Sequence, residues 1–261
     1  MRRLIFSTIL LAATAFAFGS PPESWTIAEK EHFLETAPII HEEPIGKGLT
    51  KPTRATLSDG RGTHDAEIQT VDIYMPLFKG ADGSEEKEFK DTWKFNVAAY
   101  RLAKLLHLTN MVPVSVARVV DGKPAAVTWW VDHVLMDEHE RIEKKIMPPD
   151  PARWRDEMDT VRTFDQLIYN MDRSWENLLI DTRWNAWMID HTRAFRRWPT
   201  LRNEAMITQA NPELVHSIES LTRAAVEREL KPYVTDDEIS GMMARRDRIV
   251  QLLKEHMAAR R

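Results

Sequence analysis

The chain changes character near residues 133–137, and that break restricts the folds open to it. Before it, short runs of β-branched and alternating residues are separated by Asp-Gly turns; after it, apolar residues recur mainly at helical spacing. Thr53 to Leu57 reads as a strand and Asp59-Gly60-Arg61-Gly62 as a tight turn. His64 to Val71 returns as a second strand, with Ala66, Ile68 and Thr70 opposed to Glu67, Gln69 and Val71. Val112 to Val120 and Pro124 to Val134 flank Asp121-Gly122-Lys123 and form another hairpin. Lys79 to Glu86 reads as a surface loop. Asp91 to His107 reads as a helix capped by Asp91, with Phe95, Ala98, Ala99, Leu102, Leu105 and Leu106 as its apolar stripe.

Past the break, the pattern predicts a helix over Ala152 to Ile168, then strands at 178–180 and 184–189 joined through Asp181-Thr182. Further helices follow at 213–229 and 236–257, interrupted at Lys231-Pro232. Strands first and helices afterwards make an α+β protein of two lobes. The small, sheet-containing lobe spans residues 44–135 and the mainly helical lobe 136–261, with an N-terminal extension at 20–43.

Residues 1–19 are expected to be a signal peptide. Arg2 and Arg3 precede an apolar block from Leu4 to Phe18, Ala15-Phe16-Ala17 places small residues two apart, and Gly19-Ser20-Pro21-Pro22 breaks any helix. A run of about 15 apolar residues is short for a bilayer span. The expected destination is therefore the periplasm or the exterior, with no stable membrane insertion once the signal is cleaved. The sequence has no cysteine, which excludes disulfides, thiolate metal sites and cysteine nucleophiles. Its 36 basic and 40 acidic residues are intermixed, so nothing marks a nucleic-acid surface.

Chemistry concentrates in residues 164–195. A helix ends near Tyr169, and Asn170-Met171-Asp172-Arg173 begins a polar loop. Asn177 stands just before one short strand and Asp190 just after the other, so antiparallel pairing returns Asp190 to the neighbourhood of Asn177. An amide oxygen and a carboxylate at one rim suit half the shell of a hard divalent cation such as Mg2+ or Mn2+. Asp172 is left to orient or deprotonate an acceptor hydroxyl. Each residue also has a structural reading, because Asp172 or Asp181 suits a turn cap, Asn177 suits loop amides and Asp190 suits a helix cap.

Asp172, Asn177 five residues later, and Asp190 after a strand pair resemble the pattern of the protein-kinase-like superfamily. Asp172-Arg173 and Ile189-Asp190-His191-Thr192-Arg193-Ala194-Phe195 are most similar to phosphoinositide-kinase-related and other atypical kinases. Secretory-pathway kinases and uncharacterised exported bacterial proteins share the likeness. The resemblance implies a two-lobed kinase-like fold and a metal-dependent phosphotransferase using ATP or another nucleoside triphosphate. Asp172 would be the base, Arg173 would support its loop, and Asn177 and Asp190 would hold metal. Gly46 and Gly48 would let backbone approach phosphates, and Asp132 to Met136 would form the hinge beside the base.

The same resemblance expects a strand Lys paired with a helix Glu, and the matching positions hold Gln69 and Asn96. Two amides can bond each other but cannot supply the field of an ammonium. Lys47, Lys51, Lys79 or Arg54 would have to substitute. Arg193, Arg196 and Arg197 are candidates to receive a phosphate or an acidic acceptor, and the acceptor itself is not legible. Two rival readings stay open: an exported kinase-like pseudoenzyme that binds a nucleotide or a phosphorylated small molecule, and a structural extracytoplasmic domain.

Overall fold

The computed structural model describes residues 22–46, 52–80 and 83–259. The expected signal peptide, Gly48, Lys47 and Lys51 lie outside the described residues.

Five strands form the first sheet: β1 (Ile39–Pro44), β2 (Thr53–Ser58), β3 (Thr63–Gln69), β6 (Ser115–Val120) and β7 (Lys123–Trp129). Their order is β1-β2-β3-β7-β6 and every neighbouring pair is antiparallel. The β6–β7 connection has two central residues, Asp121 and Gly122, with φ of 49° and 76°. Positive φ at both positions twists a hairpin in the sense its strands require, and Asp-Gly tolerates it. Helix α1 (Ile27–Thr36) starts in a capping box between Thr26 and Glu29. It packs Phe33 against Trp129, with Trp25 completing an edge-to-face group. β1 and α1 thus build on the same sheet although they precede residue 45.

The surface loop expected over Lys79 to Glu86 connects β4 (Asp72–Lys79) to β5 (Glu85–Thr92), an antiparallel hairpin and separate two-stranded sheet that the sequence reading did not assign. Its charges and the exposed Ile73, Tyr74, Met75 and Leu77 obscure the period-2 signal, since neither face is cleanly buried. Helix α2 (Lys94–Leu105) consequently starts three residues late. Asp91 pairs with Ile73 in the hairpin, and Trp93 occupies the cap position without a side-chain bond.

The second lobe begins with β8 (Val134–Asp137) and α3 (Glu138–Glu143). The long helix α4 (Pro151–Ile168) has Asp150 as its cap and Pro151 in its first turn. β9 (Leu178–Asp181) and β10 (Ala186–Met188) join β8 in a three-stranded sheet. β10 is shorter than expected because Trp184 adopts φ 60° within the turn. The helix expected over 213–229 is two helices, α5 (Pro212–Ser220) and α6 (Arg223–Leu230), split where Thr222 caps the second. α7 (Asp236–Ala259) closes the lobe, its buried Arg245 donating to backbone carbonyls of Leu167 and Arg196. Among the described residues no helix is long and apolar enough to cross a membrane.

The lobes share one hydrophobic core, in which Phe95 of α2 lies 5.5 Å from Phe195, and directed bonds also join them. Thr92 N–H donates to Thr192 O at 3.0 Å, Met188 N–H to Met111 O at 2.7 Å, and Lys90 pairs with Glu238.

Candidate functional site

The loop after α4 is held from behind. Tyr169 ends the helix at φ 52°, and Asn170 is buried with its amide donating to Asp165 at 3.0 Å. Asn170 Oδ1 in turn accepts the Asp172 N–H at 3.0 Å. Arg173 points inward rather than towards a ligand. Its guanidinium pairs with Asp165 and donates 2.7 Å bonds to the carbonyls of Asn177 and Ile189. A fourth contact, at 3.0 Å, joins it to His191 Nε2. Arg173 therefore ties both ends of the β9–β10 ribbon to α4, which makes it a positioning residue.

The chain reversal brings the ends together as expected. Met188 pairs with Leu178, and Ile189 N–H donates to Asn177 O at 3.1 Å, so Asp190 leaves the ribbon beside Asn177. Asp190 has φ 53°, a left-handed conformation that Asp tolerates better than most residues and that recurs at functional turns. Its Oδ1 accepts from the Thr192 hydroxyl at 3.0 Å, while no hydrogen bond reaches Oδ2. The Asn177 side-chain amide also makes none. Two oxygen acceptors thus remain open at the rim.

The site is rich in negative charge. Burial raises the Asp172 carboxyl above its ordinary range; Asp190 and Glu86 push the same way, against Arg193 at 3.5 Å. Asp91, from the end of β5, is raised by burial and by Asp190 despite a bond to Thr192, and its Oδ1 is buried without a hydrogen-bond partner. Glu67, on β3, is pushed up to about 7 by burial and by Asp190.

Glu67 corrects the expectation for the small lobe. The residue of β3 facing Asp190 is Glu67; Gln69, two along on the same strand face, is buried and does not line the space between them. Asn96 does approach the site, but its Oδ1 accepts the His191 N–H at 2.7 Å rather than serving as a partner for Gln69. Gly46 sits at φ 71° after β1 in open space, compatible with a bend there. Arg193 and Arg196 pair with Glu86 at 2.5 and 2.6 Å, and Arg197 with Glu88 at 2.6 Å. All three expected phosphate receivers are thus occupied by the β4–β5 hairpin. His191 is buried, and burial and Arg173 hold it well below the usual histidine range, hence neutral.

The donor set fits a hard cation, since every open acceptor at the rim is oxygen. Among the described residues no group of three or more His, Asp or Glu side chains is placed to hold a metal ion. Waters and phosphate oxygens would have to complete a shell around Asn177 and Asp190, as Mg2+ and Mn2+ accept. A groove of about 680 Å3 lies elsewhere, lined by residues of α4 and α5 including Glu157 and His216. None of the candidate residues lines it, so size alone does not locate the chemistry.

Glu67, Asp91 and Glu86 escaped the sequence reading. For Glu67 the signal existed, since the alternation put it on the same strand face as Gln69; only the choice between two residues was wrong. For Asp91 and Glu86 none existed, because their roles arise from a hairpin that crosses to the other lobe.

No protein-family model matches the sequence, and no curated protein resembles it significantly. Solved structures do resemble its fold. The Golgi casein kinase superposes with a TM-score of 0.64 at 14% identity, covering 90% of this chain and 75% of that one. The same kinase with Mn/ADP bound gives 0.62 at 14% identity, with 90% and 77% covered. The Helicobacter pylori proinflammatory kinase CtkA gives 0.54 at 10% identity, with 87% and 96% covered. At such identities the likeness establishes a kinase-like fold.

Proposed function

We propose that the protein is a metal-dependent phosphotransferase of atypical kinase type, acting on an acceptor hydroxyl. One observation supports this reading: the β9–β10 reversal brings the backbone of Asp190 back beside that of Asn177, through the Ile189 N–H bond to Asn177 O, with Asp172 in electrostatic reach of Asp190. Mg2+ or Mn2+ held there, with ATP or another nucleoside triphosphate, would neutralise charge on the phosphates. Asp172 receives the proton of the acceptor hydroxyl as its oxygen bonds to the γ-phosphorus and the bond to the departing diphosphate breaks. Its raised proton affinity suits a base that must hold that proton. Arg173 keeps the loop and the ribbon in register. The solved relative with Mn/ADP bound supports the choice of ions and nucleotide.

The first test is Mn2+-dependent ADP binding by the wild-type chain and by Asp190→Ala. Loss of Mn2+-dependent binding in the variant, with its circular dichroism unchanged, is expected; equal affinity in both would remove Asp190 from the site. Transfer from γ-labelled ATP to protein, lipid and sugar acceptors then separates enzyme from binder.

A second reading, a kinase-like binding protein without turnover, draws on one observation: β3 presents Glu67 to Asp190 where the resemblance expects a basic residue. Tight nucleotide binding with no product in any acceptor pool would favour it. Export belongs to both readings and rests on residues 1–19; mass spectrometry of the mature protein should show them removed.

A further inference from the structure

The groove of about 680 Å3 shares no residue with the rim of Asn177 and Asp190. Its floor is apolar, made by Leu106 and Leu108 just after α2, by Met111, and by Leu214 of α5. Arg153, Asp156, Glu157 and Thr160 line it at helical spacing, so one face of α4 forms a wall. Glu213, His216 and Ser217 supply the opposite wall from α5 in the same way. Both the floor and the α4 wall are tied to the β9–β10 ribbon. Met111 O accepts the Met188 N–H at 2.7 Å, Glu157 accepts the Ala186 N–H at 2.8 Å, and Arg153 donates to the Asn185 side chain. A groove held in this way is shaped before anything binds, which lowers the ordering cost of binding.

The fixed charge of the lining is one-sided. Its single arginine, Arg153, is spent on Glu157 at 3.0 Å. Asp156 on one wall and Glu213 on the other are exposed, and among the described residues neither side chain makes a hydrogen bond or an ion pair. The two histidines of the lining, His107 and His216, carry no fixed charge. Two solvated carboxylates alone are ordinary surface. Set on opposite walls of an apolar floor, they complement a ligand that is cationic at its flanks and apolar between. A small organic cation with one charge would meet one wall and leave the other; a polypeptide segment can meet both and still fill the floor.

We propose that this groove docks a segment of a partner polypeptide in which basic side chains flank apolar ones. The apolar side chains fill the floor over Leu106, Leu108, Met111 and Leu214, and the basic ones pair with Asp156 and Glu213. Charge complementarity across the groove selects this partner over an acidic one. The inference goes beyond phosphoryl transfer and holds whether or not the chain binds a nucleotide.

The test titrates the full chain, by fluorescence anisotropy, into labelled peptides of equal length: leucine–lysine, leucine–glutamate and serine–lysine. The leucine–lysine peptide should bind saturably and at least about tenfold more tightly than either of the others. The double variant Asp156→Asn with Glu213→Gln should weaken it by a similar factor with circular dichroism unchanged, since both side chains are exposed and unpaired. Equal binding of the serine–lysine peptide would reduce the groove to a negative patch and overturn the proposal. So would the absence of saturable binding, or binding that the double variant leaves intact. Peptide binding lost as the chain self-associates, followed by sedimentation, would give the groove to a second copy and overturn it as well.

Discussion

The ribbon around Asp172, Asn177 and Asp190 and the face of the small lobe opposite it lie against one another, yet they are built in different ways. The ribbon is local: 21 positions run from Asn170 to Asp190, and a single turn closes it. The opposing face is assembled from β3, the end of β5 and α2, so Glu67, Asp91 and Asn96 converge only through tertiary packing. Chemistry written within one turn is fixed by spacing. Chemistry assembled from separate elements depends on register and on insertions, and here it departs from the arrangement that the ribbon suggests.

Removing the ribbon's own base should have the largest effect. Asp172→Asn keeps shape and the Asn170 bond to its N–H, but takes away the proton acceptor. Phosphoryl transfer should fall by about 10²–10⁴-fold with ADP binding little changed, a split that single-turnover and binding measurements resolve. If binding collapses in step with transfer, Asp172 belongs to the metal shell and the division of labour within the ribbon is wrong.

The next effect is on stability. Arg173 and Asp165 form a nearly buried pair, and the same guanidinium holds the carbonyls of Asn177 and Ile189. Arg173→Ala strands a carboxylate and two carbonyls, which costs about 3–5 kcal/mol. Urea denaturation should show it as a lower midpoint with an unchanged slope. Asp165→Asn should lose less, since the carbonyl bonds survive. Equal losses would mean that the ion pair alone, without the carbonyl clamp, holds the ribbon.

These two residues also show what was legible. Spacing alone placed Asn177 and Asp190 at one end of a β-ribbon because strand pairing leaves few alternatives over so short a distance. The Asp-Gly hairpin at 121–122 was legible for the same reason, since its dihedral demands are local. Arg173 illustrates the boundary: its position in the loop was readable, while its partner Asp165, one turn before the end of α4, was not. The β4–β5 hairpin defeated the reading altogether. A strand with Ile73, Tyr74, Met75 and Leu77 exposed and a partner of mixed charge carry no period that separates a core face from a wet one.

Glu67 provides a prediction on the opposing face. In chelator, its carboxyl takes up a proton at about pH 7 in the folded chain, against 4.5 for the free side chain. The folded state then binds more protons than the unfolded state between these values, so stability falls as pH rises from about 4.5 to 7. The shift corresponds to at most about 3 kcal/mol. Glu67→Gln should flatten this part of the stability–pH curve and unfold at higher urea than wild type at pH 7.5. Parallel curves would show that Glu67 is solvated and does not oppose Asp190.

The smallest expected effect tests whether the inserted hairpin tunes the ribbon at all. Glu86 takes Arg193 and Arg196 at 2.5 and 2.6 Å, and Arg193 reaches Asp172 at 3.5 Å. Glu86 therefore acts on Asp172 twice: its own charge raises the proton affinity, and its hold on Arg193 dilutes the charge that lowers it. Glu86→Gln removes both influences, so the Asp172 carboxyl ionises at lower pH. The acid limb of the pH–rate profile should move to lower pH while the plateau rate stays near wild type. Arg193→Gln should move the same limb upward, because Asp172 loses its cation. Opposite shifts from the two sides of one salt bridge would connect the long-range half of the site to the local half through charge alone. Shifts in the same direction would mean that the hairpin acts by positioning the loop instead.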